Sequence, residues 1–333
     1  MTQKANLAAL FGATDASTFL GLAATSLTSP IAASSVFLGV PCATPYAAVG
    51  AYAAGGPDSI RRGGASLTAN LDRYNFDLGG AVFPAGTRPA CDAGDLDWSD
   101  SDFAANRARI ADAVRHIMAC QSVPVLVGGD DSIPIPMLDA LAATGKTYTI
   151  LQIDAHIDWR DKHMDENMGL SSTMRRASEM AHINTIIQVG ARGIGSAHPD
   201  DMAAACAWGA QFFPADQIMT DGIAPVLHAI PTDQDVVICF DIDALDPSLA
   251  PNTIGRAPGG LMYHHALGLI KGAAQKTRIA AMDFAEILPE ADIDGIGGLT
   301  VSRLIAASMG VIARQDMARQ DIARQDKDFA HHR

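Results

Sequence analysis

The sequence predicts an open α/β fold built on a mostly parallel sheet within one domain, and three observations lead there. Short β-branched runs recur along the whole chain, each without polar alternation, as strands covered on both faces require. Stretches of helical periodicity separate them. No Gly/Ser- or Pro-rich linker divides the 333 residues, although that length would also accommodate two ordinary domains.

Taken in chain order, the predicted strands are 35–40 (SVFLGV), 123–127 (VPVLV), 147–153 (TYTILQI), 185–189 (TIIQV), 235–240 (DVVICF) and 278–282 (RIAAM). Between the first two, residues 104–120 place Ile110, Ala113, Val114 and Ile117 on one helical face. The domain is expected to end near residue 311. Residues 312–333 are read as a C-terminal extension in which IARQD, MARQD and IARQD follow one another. A five-residue period drifts around a helix and leaves no apolar stripe, so the expectation is a solvated terminus, with an inter-subunit contact as the alternative.

Composition narrows the function. Apolar residues make up 48% of the chain and the formal charge is −13. That charge disfavours nucleic acid and anionic membrane surfaces and suits a small cationic substrate. Five scattered cysteines (Cys42, Cys91, Cys120, Cys206, Cys239) contain no CxxC pair, which points to a reducing cytoplasm rather than a disulfide framework or a thiolate zinc site. No charged residue lies between Asp15 and Asp58, but Pro30, Pro41 and Pro45 interrupt any apolar stretch of ~20 residues. With only Lys4 as a basic start and Asp15 inside the segment, a buried strand plus loop is expected there rather than a signal peptide.

The chemistry concentrates where strands end. DAHID (154–158) follows the third predicted strand, DIDALDP (241–247) the fifth, and GGDDS (128–132) the second. Ligands in open α/β sheets bind outside the carboxyl ends of strands, so three acidic exits should converge on one rim. Carboxylates packed together there repel one another unless a cation compensates. Carboxylates with one imidazole suit hard or borderline divalent ions, and this many ligands suggests two of them sharing a bridging water.

On these motifs, together with residues 39–61, QVGARG (188–193) and DFAEILPEAD (283–292), the chain resembles the ureohydrolase superfamily, which contains the arginases, agmatinases and related guanidino-hydrolases. The resemblance implies a three-layer α/β/α fold, two divalent metal ions (Mn²⁺ first, Ni²⁺ second), and a trimer or hexamer acting on a small guanidino substrate. It implies that Asp154 and Asp241 bridge the ions, that His156, Asp158 and Asp243 complete the two shells, and that Glu286 pairs with the substrate guanidinium.

Three departures qualify that expectation. Asp131 stands where the family's Gly-Gly-Asp-His-Ser motif has a metal-binding histidine. Leu170 stands where the family has a proton-shuttling histidine, and His163 could replace it only if its loop folds back. Loss of a general acid–base group costs ~10²–10⁴ in rate. Third, Asn252-Thr253-Ile254-Gly255-Arg256 replaces the family's Gly-Thr-Gly-Thr-Pro turn and brings a cation toward the site. Two readings follow: an active metallohydrolase on a guanidino or amidino compound, or a catalytically degenerate subunit supporting an active homologue, as in two-subunit biguanide (metformin) hydrolases. A cation-binding module without chemistry is the third class.

Overall fold

Strands with both faces apolar need a cover on each side, and the tertiary structure supplies two. The computed structural model describes residues 17–42, 46 and 48–331, with side chains described through Ile322. The expectations attached to Lys4 and Asp15, and the side chains of the last ARQD unit, lie outside the described residues.

The described residues form nine strands in one sheet: β1 (Ala23–Ala24), β2 (Ser35–Gly39), β3 (Cys91–Asp95), β4 (Val123–Val127), β5 (Tyr148–Ile153), β6 (Ile183–Val189), β7 (Gln211–Phe213), β8 (Asp235–Asp241) and β9 (Ile279–Ala285). Their order is β1-β3-β2-β4-β9-β8-β5-β6-β7. Every pair is parallel. The helices are α1 (Gly56–Gly64), α2 (Phe103–Ala119), α3 (Pro134–Leu141), α4 (Thr173–Ser178), α5 (Pro199–Trp208), α6 (Ala215–Asp221), α7 (Ala224–Ala229), α8 (Tyr263–Lys276) and α9 (Ile296–His331).

Alternation along the strands divides the core into two layers. Val125 and Val127 of β4 and Val236, Ile238 and Phe240 of β8 face α8 and α9, through Leu269, Ile270, Val301 and Leu304. Leu126, Ile150 and Val237 face the other way, toward Ile110, Val114 and Ile117 of α2 and Met137 and Leu138 of α3. This is the three-layer α/β/α arrangement. Helix α2 starts where Asp102 accepts a hydrogen bond from the Ala105 N–H, a side-chain cap.

The strands that sequence periodicity did not indicate are β1, β3 and β7, all toward the sheet edges. There one face or end is open to solvent, so CDAGD and QFF carry no continuous apolar run. At the C-terminus the helix runs unbroken through residue 312. Ile312 and Ala313 are buried, Arg314 donates to the carbonyls of Val82 and Ala81, and Asp316 receives both arms of Arg88 at 2.8 Å. By length and composition Ile296–Ile322 is apolar enough to cross a membrane, yet 83% of its apolar window is packed inside the molecule.

Candidate metal centre

Four adjacent strands, β4, β9, β8 and β5, end on the same side of the sheet, and their exits carry Asp131, Glu286, Asp241 and Asp154. The β4 exit turns on two glycines with positive φ, Gly128 (+89°) and Gly129 (+70°). A Cβ on Gly129 would lie 2.6 Å from the Val40 carbonyl oxygen, so this tight passage accepts no side chain. Two site residues also occupy the left-handed region without being glycine: Asp158 (φ 45°) and Glu286 (φ 65°). Such conformations cost of order 1–3 kcal/mol and persist where the surroundings over-determine them.

Asp131, Asp154 and Asp241 bring one carboxylate oxygen each within 4.8 Å of one another; Asp154, His156 and Asp243 do the same. Asp154 thus belongs to both groups. Asp158 belongs to neither: it lines the same cavity, but its Oδ2 accepts from Gln152 Nε2 at 2.8 Å. The same amide donates to Asp154 Oδ2 at 2.8 Å, and Gln152 in turn accepts from Gln188 Nε2. Gln188 sits directly opposite Gln152 in the β5–β6 register. Backbone donors fix the other oxygens: the His156 N–H to Asp154, Ala155 to Asp243, and Asp243 to Asp241.

The electrostatics of this cluster fit a cation. Burial, followed by neighbouring carboxylates, pushes Asp131, Asp158 and Asp241 well above the usual carboxylate range. Burial and Asp154 push Asp243 up to about 6. Asp154 is the exception: burial raises it, but hydrogen bonds with His156 and Asp158 and the His156 charge hold it below its ordinary value. Burial alone would lower His156, yet its bonds and charges with Asp154 and Asp243 push it up to about 11. Asp131 Oδ2 is buried without a hydrogen-bond partner. Five carboxylates this close ionise together only around added positive charge, so oxygen-seeking divalent ions suit the residues present.

The cluster floors a cavity of about 230 Å³ whose walls include Leu170, Ser171, Ser196, Ile254 and Gly255. Glu286 lines it as well, buried, and burial followed by Asp130 pushes its carboxyl up to about 8. Its oxygens accept from Tyr52 Oη at 2.7 and 2.9 Å, and one also accepts from the Asp131 N–H at 3.0 Å. Leu170 therefore stands on the cavity wall, whereas His163 is absent from the lining and bonds to Arg160 at 3.1 Å. Arg256 turns away, its NH2 group donating to the Ala291 carbonyl at 3.3 Å, and leaves Ile254 and Gly255 facing the acidic cluster. Gly255 is still needed for close approach, because a Cβ there would lie 2.3 Å from Asp243 Oδ2.

Several residues that shape the cluster were not singled out by the sequence reading. Tyr52 carries no motif of its own. Arg192, within QVGARG, spends its guanidinium on the carbonyls of Asp243, Ala244, Leu245 and Ala257, tying the β8 exit to the 252–260 turn. The two buried glutamines were visible only as letters beside DAHID and VGARG. A polar residue inside an otherwise apolar strand was the available signal, since such a group is buried only with partners.

The model of the Arginase family matches residues 33–310. The chain is 28% identical over 262 residues to a mitochondrial agmatinase of Gallus gallus, covering 77% of this chain and 75% of that one. It is also 28% identical over 289 residues to a mitochondrial guanidino acid hydrolase of Homo sapiens, covering 84% and 78%. Among solved structures, proclavaminate amidino hydrolase from Streptomyces clavuligerus superimposes with a TM-score of 0.78 at 23% identity over 91% of this chain and 99% of that one. Formimidoylglutamase from Bacillus subtilis subsp. subtilis str. 168 does so with a TM-score of 0.77 at 24% identity, over 90% and 92%. At these identities the structural likeness concerns the fold.

Proposed function

The chain belongs to the arginase family, and we propose that it is a metal-dependent ureohydrolase cleaving a C–N bond of a small guanidino compound. One observation carries the reading: a buried, oriented carboxylate, Glu286, opens into the same cavity as two overlapping groups of ligand atoms. Relatives named agmatinase and guanidino acid hydrolase support the substrate class.

Asp131, Asp154, His156, Asp158, Asp241 and Asp243 would hold two divalent ions. Asp154's place in both groups of carboxylate and imidazole atoms suits a shared carboxylate. Five carboxylates and one imidazole favour Mn²⁺ over the more nitrogen-seeking Ni²⁺. Bound there, such ions supply a water of lowered pKa as nucleophile. The protein's own residues do the remaining work. Glu286 would receive the planar guanidinium through charge-assisted hydrogen bonds, and Tyr52 holds it in place for that role. Departure of the leaving nitrogen requires a proton. Where a histidine relay would stand the wall contributes Leu170 and Ser171, of which only the Ser171 hydroxyl can pass one.

The test is urea release by the purified chain, loaded with Mn²⁺, from a panel of guanidino compounds. Turnover by the chain alone supports the reading. No turnover alone, with turnover appearing on co-expression with a homologous subunit, would replace it with the supporting-subunit alternative.

A further inference from the structure

The cavity lining includes six carboxylates, Asp131, Asp158, Asp201, Asp241, Asp243 and Glu286, and a single guanidinium, that of Arg160. Among the described residues no carboxylate lies within 4.0 Å of that guanidinium; its side chain meets only the ring of His163, NH1 to Nδ1 at 3.1 Å. The imidazole is itself braced edge-on by the Tyr46 ring, with centroids 5.8 Å apart at 80°. The Arg160 backbone is pinned as well, its N–H donating to the Ser171 carbonyl at 3.0 Å beside the Leu170 wall. Arg160 is half-buried and held in position, without an ion-pair partner among the described residues.

The other arginines near the site behave differently. Arg192 is consumed by backbone carbonyls, and Arg256 faces out of the cavity. Asp201 is the acidic residue at the rim, and it lies in the first turn of α5, where the helix N-terminus stabilises a carboxylate without any ligand. Among the described residues Arg160 meets the neutral partner His163 and no carboxylate. A fixed cation in this wall repels a substrate whose far end is an amine, and attracts one whose far end is a carboxylate.

We infer that Arg160 is a specificity-determining residue that binds the carboxylate of an ω-guanidino acid whose guanidinium is held at Glu286; this rests on the hydrolase reading above. A guanidinium–carboxylate pair in a partly desolvated cavity is charge-assisted and geometrically selective. The substrate would span the cavity with its cation at the acidic floor and its anion at the Arg160 wall.

The experiment measures calorimetric binding of 4-guanidinobutyrate, agmatine and 1-butylguanidine to the Mn²⁺-loaded chain, with urea release followed in parallel. The expected result is at least about tenfold tighter binding of the carboxylate-tailed probe than of either other, the magnitude of one charge-assisted contact. In Arg160→Met that ratio should fall to about one, and Arg160→Lys should retain part of it. The wild-type ratio needs no variant, so misfolding of Arg160→Met leaves the test intact. Equal binding of the three probes, or preference for agmatine, overturns the assignment of Arg160 even if urea is released. Carboxylate-selective binding without urea release instead overturns the hydrolase reading and leaves Arg160 standing. Failure of all three to bind removes both.

Discussion

Tyr52 and Glu286, 234 residues apart in sequence, are joined by hydrogen bonds of 2.7 and 2.9 Å from one hydroxyl to both carboxylate oxygens. The pair links the loop before α1 to the end of β9. It holds a buried carboxylate in a left-handed backbone conformation at the mouth of the acidic cluster.

Tyr52→Phe removes that hydroxyl and keeps the ring. A hydrogen bond to a charged group contributes about 1.5–3 kcal/mol, so guanidino substrates should show KM raised about 10- to 100-fold with kcat less affected. A kcat loss with unchanged KM would mean that Glu286 acts in the chemical step rather than in holding substrate.

Asp241→Asn tests metal binding without any substrate. Ions that bind only the folded state raise its stability by about 2.7 kcal/mol at a hundredfold excess over Kd. Mn²⁺ should therefore raise the melting temperature of the wild-type chain by several degrees and leave the variant unmoved. An equal rise in both would remove Asp241 from the ligand set.

At Asp131 the expectation runs the other way. Asp131→His withdraws one negative charge from a crowded, buried group and offers a nitrogen donor, so Mn²⁺ and Ni²⁺ affinity should hold or increase. It need not raise turnover, since Leu170 still occupies the wall. Weaker binding of both ions would show that the Asp131 carboxylate is itself the better ligand.

Gly255→Ala probes close approach. Its Cβ would come within 2.3 Å of Asp243 Oδ2 and 2.8 Å of His156 Cε1. The Mn²⁺-dependent rise in melting temperature should be lost while the melting temperature without added metal changes much less. A full rise in the variant would show that the 252–256 turn relaxes away from the ligands.

Gln315 and Gln320 occupy the same place in successive ARQD units but not in the fold. Gln315 donates to the carbonyls of Ala274 and Thr277 and accepts from the Ile279 N–H, joining α9 to α8 and β9. Among the described residues Gln320 reaches Asp316 on its own helix. Gln315→Ala should cost about 1–3 kcal/mol in chemical denaturation, and Gln320→Ala under about 0.5. Equal costs would contradict the packing described.

The central strands and the acidic exits were legible in the linear sequence because burial on both faces of a parallel sheet selects continuous β-branched runs. A strand's end is also marked by the first residue that cannot be buried without a partner. DAHID, DIDALDP and GGDDS announced themselves by breaking such runs. The helix over 104–120 was equally plain, since its four apolar positions share one face and all are buried. Strands toward the edges were not legible: β3, second from one edge, and β7, at the other, lie where solvent relaxes the demand for apolar residues.

What only the tertiary structure decided are relationships between distant residues that each look ordinary alone. Nothing in an alanine-rich loop marks Tyr52 as the partner of Glu286. Nothing in WRDKH marks Arg160 as a cation whose described partner is a neutral imidazole, and the sign of Arg256's influence depended on which way its side chain turned. The ARQD repeat shows the limit most simply: the first two units have the same residues, yet Gln315 reaches α8 and β9 while Gln320 reaches its own helix. Periodicity is a local property that backbone geometry writes into sequence, whereas the pairing of charges and hydrogen bonds across a cavity depends on which chain segments the fold brings together.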